Sequence, residues 1–126
     1  MKFAVEPKDK LVVISTNVEK LDALQAPELK SEIVLQNKAG IRNLVLDLSS
    51  TRYIDSSGLS AILVANRLCR DANGTCVITG LQEAVKKLIA LSQLESILKI
   101  TPTVNEAIDL IYMEEILLIL VIKKTY

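Results

Sequence analysis

The residues best placed for chemistry are Asp55, Ser56, Ser57 and Gly58, which directly precede an apolar stretch beginning at Leu59. If that stretch is a helix, its free backbone N–H groups and the positive end of its dipole favour negative charge here. A serine hydroxyl at such a place can accept a phosphoryl group or bind a phosphate. The alternative is that one serine merely caps the helix, which is the commonest reason for serine at this position.

The residue types available exclude much of enzyme chemistry. The chain has no histidine, so it lacks the usual general base at neutral pH and cannot build Ser/His or Cys/His nucleophile pairs. The polar run does not match the G-x-S-x-G elbow of hydrolases, and the chain has no G-x-x-x-x-G-K-[ST] nucleotide loop. These absences argue against a hydrolase and against a nucleotide-binding protein.

Acidic and thiol side chains give no sign of a metal or redox centre. Asp22, Asp47 and Asp55 lie in three separate segments, and nothing in the sequence brings them together, so no metal site is predicted. Cys69 and Cys76 do not form a C-x-x-C pair, so we expect buried structural thiols. Two cysteines are too few for a disulfide scaffold, which favours a reducing, cytoplasmic setting.

Composition limits the class of partner. The 126 residues, half of them hydrophobic, fit one domain with an aliphatic core. Lys plus Arg and Asp plus Glu number 15 each, so no basic excess exists to bind a nucleic acid. The longest apolar run, 116–122, is far shorter than the roughly 20 residues of a membrane-spanning helix, so no membrane span is expected.

Hydrophobic periodicity predicts an α/β fold that could position the polar run. An N-terminal hairpin is followed by strands and amphipathic helices in alternation, which implies parallel pairing and a mixed sheet with helices packed over it. Residues 44–48 are the strongest candidate for a central strand, because they form a dense apolar run between turn residues. The predicted strands are 3–5, 11–15, 44–48, 75–79 and 97–100. One predicted helix begins near Pro27 and ends at Gly40, and three more cover about 59–69, 81–91 and 104–111.

Two segments carry a resemblance to a known family. Residues 53–63, YIDSSGLSAIL, and residues 21–29, LDALQAPEL, resemble the signature segments of the STAS family, the bacterial anti-sigma factor antagonists. The resemblance covers about residues 1–112 and implies a STAS-like mixed sheet with an N-terminal hairpin. The chain departs from the family at Glu19, where many relatives have glycine, which bears on the loop that carries Asp22.

The resemblance also implies a function. In that family the serine after the motif's aspartate, here Ser56, is phosphorylated by a partner that is both anti-sigma factor and serine kinase. The unphosphorylated form binds that partner and frees the sigma factor. The resemblance therefore implies a binding module that is not an enzyme, and no cofactor is expected. Implied contact residues are Asp22, Asp55, Ser56, Ser57 and Gly58, although Asp22 could equally be an ordinary helix cap. The alternative function is a STAS regulatory subunit of a membrane transport or other signalling complex without phosphorylation control.

The segment 113–126 lies beyond the expected STAS domain. Its run Ile116–Ile122 is wholly apolar and would be an aggregation hazard if exposed. It could extend the last helix and pack back on the domain, add an edge strand, or contact another subunit, with internal packing favoured. The expected state is a monomer or a weak homodimer.

Overall fold

The computed structural model describes residues 2–125, which form a five-stranded sheet, a separate two-stranded sheet and four helices. Tyr126, the last residue of the predicted extension, lies outside the described residues. In chain order the elements are β1 (Phe3–Lys8), β2 (Leu11–Thr16), β3 (Lys20–Leu21), α1 (Ala26–Lys38), β4 (Leu44–Asp47), β5 (Tyr53–Ile54), α2 (Ser56–Asp71), β6 (Cys76–Thr79), α3 (Glu83–Leu91), β7 (Lys99–Thr101) and α4 (Val104–Thr125).

The large sheet has the strand order β1-β2-β4-β6-β7. β1 and β2 pair antiparallel as the predicted hairpin, and its turn places Lys10 in the left-handed region at φ 68°. The β2–β4, β4–β6 and β6–β7 pairs are all parallel, so β4 is central, as its apolar run predicted. The predicted α/β class with a mixed sheet and covering helices is confirmed.

Alternation along the central strands builds a core on each face of the sheet. Leu44, Leu46 and Ile78 join the core beneath α1, α2 and α3, whereas Val45 and Val77 point to the other face. There they meet buried side chains of α4, including Ala107 and Ile111. α4 is thus separated by the sheet from α2, whose first residue is Ser56.

A buried pair of threonines holds the small β3–β5 sheet in place. The Thr51 hydroxyl lies 2.7 Å from that of Thr16, at the end of β2, and also donates to the Val18 carbonyl at 2.8 Å. Beyond these threonines, β3 and β5 pair in parallel, Leu21 opposite Ile54. This small sheet carries the chain into the loop after β3 and into the start of α2.

The C-terminal segment continues α4 to Thr125 as one unbroken helix. The internal packing expected for residues 116–122 is limited to half-buried Leu118; the other six are exposed. The helix is fastened earlier by buried Glu115, which accepts hydrogen bonds from Asn43 and from Arg42 Nε at 3.1 Å. Among residues 2–125, none of the helices is long and apolar enough to cross a membrane.

Both cysteines are buried and unpaired, which confirms the expectation of structural thiols. A hydrogen bond with Cys69 and burial raise the pKa of the Cys76 thiol. A thiol held neutral in this way is a poor nucleophile. The two residues therefore belong to the core rather than to a reactive site.

Candidate functional site

Asp55 is the N-cap of α2, and it organises the polar run. Its Oδ1 accepts hydrogen bonds from the backbone N–H groups of Ser57 at 2.8 Å and Gly58 at 3.0 Å. The alternative, that a serine caps this helix, is therefore wrong: aspartate is an equally good cap, and Asp55 takes both N–H groups. α2 begins at Ser56, three residues before the predicted start at Leu59.

The same carboxylate reaches across to the loop after β3. Asp55 Oδ2 accepts a hydrogen bond from the backbone N–H of Ala23 at 3.2 Å. Next to Ala23, Asp22 Oδ1 accepts from the N–H groups of Leu24 at 3.1 Å and Gln25 at 3.2 Å, closing the turn that leads into α1. Asp22 is therefore not the N-cap of α1, because that position is held by Gln25, which makes no side-chain cap hydrogen bond. The Asp22 carboxylate instead closes the preceding turn, in a loop bonded directly to Asp55.

Gly58 allows α2 to lie against this loop. A Cβ at this position would lie 2.2 Å from the backbone carbonyl oxygen of Leu21, a distance that real Cβ atoms do not tolerate. Its φ is not positive, so backbone conformation does not require a glycine here. The glycine is needed because a side chain would block the close approach of the two segments. It brings the first turn of α2, and with it Ser56, against the end of β3.

Ser56 is the exposed serine of the run. It is the first residue of α2, and its hydroxyl forms no hydrogen bond to another residue in the range 2–125. Ser57 is half-buried and Gly58 is buried, so Ser56 has the more accessible of the two serine hydroxyls that follow Asp55. The structure thus distinguishes two adjacent serines that the sequence could not.

Two exposed apolar side chains lie on the elements that flank Ser56, and the sequence analysis did not select them. Leu24 is 84% exposed in the turn closed by Asp22, and Tyr53 is 49% exposed on β5. An isolated leucine within a polar turn is a weak signal, because single exposed apolar residues are common on protein surfaces. Leu24 follows Ala23, which is bonded to Asp55, and Tyr53 lies two residues before Asp55, so these segments form a candidate protein-docking surface.

The carboxylates do not assemble a metal centre. Asp47 Oδ1 accepts from the Ser49 N–H at 3.0 Å, while Asp22 and Asp55 accept hydrogen bonds from backbone N–H groups. Over residues 2–125, no group of three or more His, Cys, Asp or Glu side chains is placed to hold a metal ion. The acidic side chains at this end of the sheet shape loops.

Glu19 is compatible with the local structure. Its φ is not positive, so the position does not demand glycine. Its carbonyl accepts from the N–H groups of Arg52 at 2.8 Å and Tyr53 at 3.1 Å, which starts the β3–β5 pairing. The side chain itself is exposed. The departure from the family pattern therefore leaves the loop carrying Asp22 intact.

Comparison with known proteins places the chain in a family. The STAS domain family matches residues 3–107, so the chain belongs to the STAS family. A relative from Listeria monocytogenes, 33% identical over 81 residues, is named an anti-sigma-B factor antagonist; the match covers 64% of this chain and 70% of that protein.

Solved structures agree on the fold. The crystal structure of the Thermotoga maritima protein TM1081 matches with a TM-score of 0.82 at 25% identity, covering 87% of this chain and 94% of that one. The phosphorylated form of SpoIIAA, titled a Bacillus cell fate determinant, matches with a TM-score of 0.68 at 22% identity, covering 85% and 96%. The second likeness concerns the fold alone.

Proposed function

We propose that this chain is a cytoplasmic anti-sigma factor antagonist that binds an anti-sigma factor with serine kinase activity and is switched off by phosphorylation of Ser56. The observation that carries the proposal is the exposed Ser56 hydroxyl at the first position of α2, directly after Asp55 in the chain, which forms no hydrogen bond within residues 2–125. Names of relatives support the anti-sigma factor antagonist class. The chain acts as a binding module.

The proposed docking surface joins the α2 N-terminus to the turn after β3. Leu24 and Tyr53 supply apolar contacts, and Asp22, Asp55, Ser56, Ser57 and Gly58 form its polar centre. Because Asp55 bonds to both segments, the two are held in a fixed relation before the partner arrives. Such preorganisation lowers the ordering cost of binding.

Phosphorylation would change the charge of this surface without disturbing its framework. A phosphoserine carries about −1.5 to −2 charges at neutral pH. The N–H groups of Ser57 and Gly58 already donate to Asp55, so the phosphate at Ser56 would lie outside that cap and next to a carboxylate. A partner surface fitted to a neutral hydroxyl would then meet an uncompensated dianion, and the complex would dissociate.

The chemistry of the transfer falls to the partner. The Ser56 oxygen forms a bond to the γ-phosphorus of ATP as the bond to ADP breaks, and the hydroxyl proton must pass to a base. Asp55 accepts three backbone N–H hydrogen bonds and is committed to the loop, so the kinase supplies that base. This protein contributes an exposed acceptor on a rigid helix start.

Intact mass measurement with site mapping tests the proposal. Each anti-sigma factor kinase of the native organism is incubated with the purified chain, ATP and Mg²⁺. We expect one phosphoryl group on Ser56, none on the Ser56→Ala variant, and normal modification of Ser92→Ala, at the exposed serine that caps the C-terminal end of α3. A serine that stays unmodified with every kinase and in cells under stress would contradict the proposal and favour the constitutive regulatory subunit.

A further inference from the structure

The outer face of α4 carries an apolar stripe that the domain leaves uncovered. Met113, Ile116, Leu117 and Leu120 follow the i, i+3, i+4, i+7 spacing of one helical face, and each is about half exposed. This stripe lies opposite the sheet-facing side, where Ile111 and Glu115 are buried. Such a stripe is the seam by which one helix packs on another.

Charged residues of opposite sign mark the two ends of this stripe. Asp109 lies one turn before Met113, and Lys124 lies one turn after Leu120, so both continue the same face. Both are exposed, and neither takes part in an ion pair among the described residues. The stripe is therefore acidic at its start, apolar in its middle and basic at its end.

We infer that this stripe is a self-association surface and that its occupant is α4 of a second copy, packed antiparallel. A two-fold axis between Ile116 and Leu117 brings Met113 opposite the partner copy's position 120. The same axis places Asp109 opposite position 124 of the partner copy, so each end of the seam pairs an acid with a lysine. A parallel arrangement would instead oppose like charges at both ends, which is unfavourable.

The size of the stripe sets the strength expected. Five half-exposed apolar side chains, Val121 included, offer about 250 Å² per copy if each would expose about 100 Å² in full. The pair then buries about 500 Å² of apolar surface, below the roughly 700 Å² of apolar surface in a small stable complex that buries about 1,200 Å² in all. The dimer is therefore weak and depends on protein concentration and on ionic strength.

Self-association in this geometry leaves the proposed switch accessible. α4 packs on the sheet face that carries Val45 and Val77, whereas α2 packs on the face that carries Leu46 and Ile78. Ser56 begins α2, so each copy would keep its own docking surface free of the seam. Dimer formation would thus double the number of docking surfaces presented together.

Sedimentation equilibrium over a concentration series up to about 1 mM tests the inference. At low salt we expect a rise from the 13.9 kDa of one chain toward twice that mass. Leu120→Asn should raise the dissociation constant about tenfold. Leu91→Asn, an equally polar change at an 83% exposed leucine on α3, should not change it.

Charge reversal tests the orientation. Lys124→Glu and Asp109→Lys should each weaken the dimer about fivefold, and the double variant should restore it. Lys87→Glu, the same charge change on the exposed surface of α3, serves as the control. A chain that stays monomeric throughout, a dimer unaffected by Leu120→Asn, or a double variant weaker than both singles would overturn the inference. Flotation of the monomer with anionic vesicles would also overturn it, because the stripe would then bind lipid.

Discussion

The carboxylate of Asp55 binds the backbone of Ala23, 32 residues earlier in the chain, at 3.2 Å while it caps the helix that begins at Ser56. One side chain thus joins the turn after β3 to the start of α2. The two signature segments noted in the sequence are therefore one surface, held together by a hydrogen-bonded carboxylate.

Asp55→Ala should lower the free energy of unfolding by about 1–2 kcal/mol, because the α2 cap is lost. Asp55→Asn should cost less, since the amide oxygen can still accept from Ser57 and Gly58. Urea denaturation provides the measurement, and Asp71→Ala, which removes only an exposed ion pair, is the control. Equal stability of Asp55→Ala and wild type would show that the cap contributes nothing.

Gly58→Ala should destabilise the protein by about 1–3 kcal/mol, because the new Cβ would meet the Leu21 carbonyl at 2.2 Å. Gly40→Ala has no atom within 4 Å but has a φ of 93°, so it should cost only about 1 kcal/mol from backbone strain. Thermal unfolding of the two variants compares the destabilisation caused by a steric clash at position 58 with that caused by backbone strain at position 40. A Gly58→Ala protein more stable than Gly40→Ala would refute the close packing of α2 on β3.

Glu115→Gln should destabilise the domain by about 1–2 kcal/mol at neutral pH, because a hydrogen-bonded carboxylate is lost. Burial raises the pKa of Glu115, but hydrogen bonds from Asn43 and Arg42 and the charges of Arg42 and Lys10 outweigh it, so the pKa is lowered. A lowered pKa stabilises the fold above the unfolded value of about 4.3, and this contribution is lost as pH falls through the folded value.

The stability difference between wild type and Glu115→Gln should therefore shrink below about pH 4. Urea unfolding at a series of pH values checks this. Glu114→Gln, which removes an exposed ion pair with Lys99, should change stability by less than about 1 kcal/mol. A stability difference between wild type and Glu115→Gln that grows as the pH falls would contradict a lowered pKa for Glu115.

Leu24→Ala should weaken binding of the anti-sigma factor by about tenfold while leaving the unfolding free energy unchanged, because the side chain is 84% exposed. Leu91→Ala, at an 83% exposed leucine on α3, should leave both quantities unchanged. Calorimetric titration of the partner with the two variants measures the contrast. Equal affinities would remove Leu24 from the docking surface.

Hydrophobic periodicity was sufficient to predict the main strands and helices, because each of them buries side chains in a regular pattern. In β4, for example, Val45 is buried on one face of the sheet, and Leu44 and Leu46 are buried on the other. The β3–β5 sheet was not predictable in this way, since two-residue strands have no period and this pair depends on Thr51. The run 116–122 was ambiguous for another reason: an unbroken apolar segment fits a helix or a strand equally well.

Site residues were predictable as a group but not in their individual roles. The Asp-Ser-Ser-Gly run identified the start of α2, yet serine and aspartate cap helices equally well, so spacing alone could not assign the cap to Asp55. The need for glycine at 58 comes from the Leu21 carbonyl, a contact between distant segments. Ser56 is exposed and Ser57 is half-buried, a difference that depends on how the folded chain packs.

The most direct test of the proposed switch is calorimetric titration of the anti-sigma factor with the unmodified protein and with the protein phosphorylated at Ser56. We predict tight binding by the unmodified form and at least about a 100-fold loss on phosphorylation, with helix content and unfolding midpoint unchanged. Ser56→Asp should reproduce part of the loss. Equal affinity of the phosphorylated and unmodified forms would contradict the account.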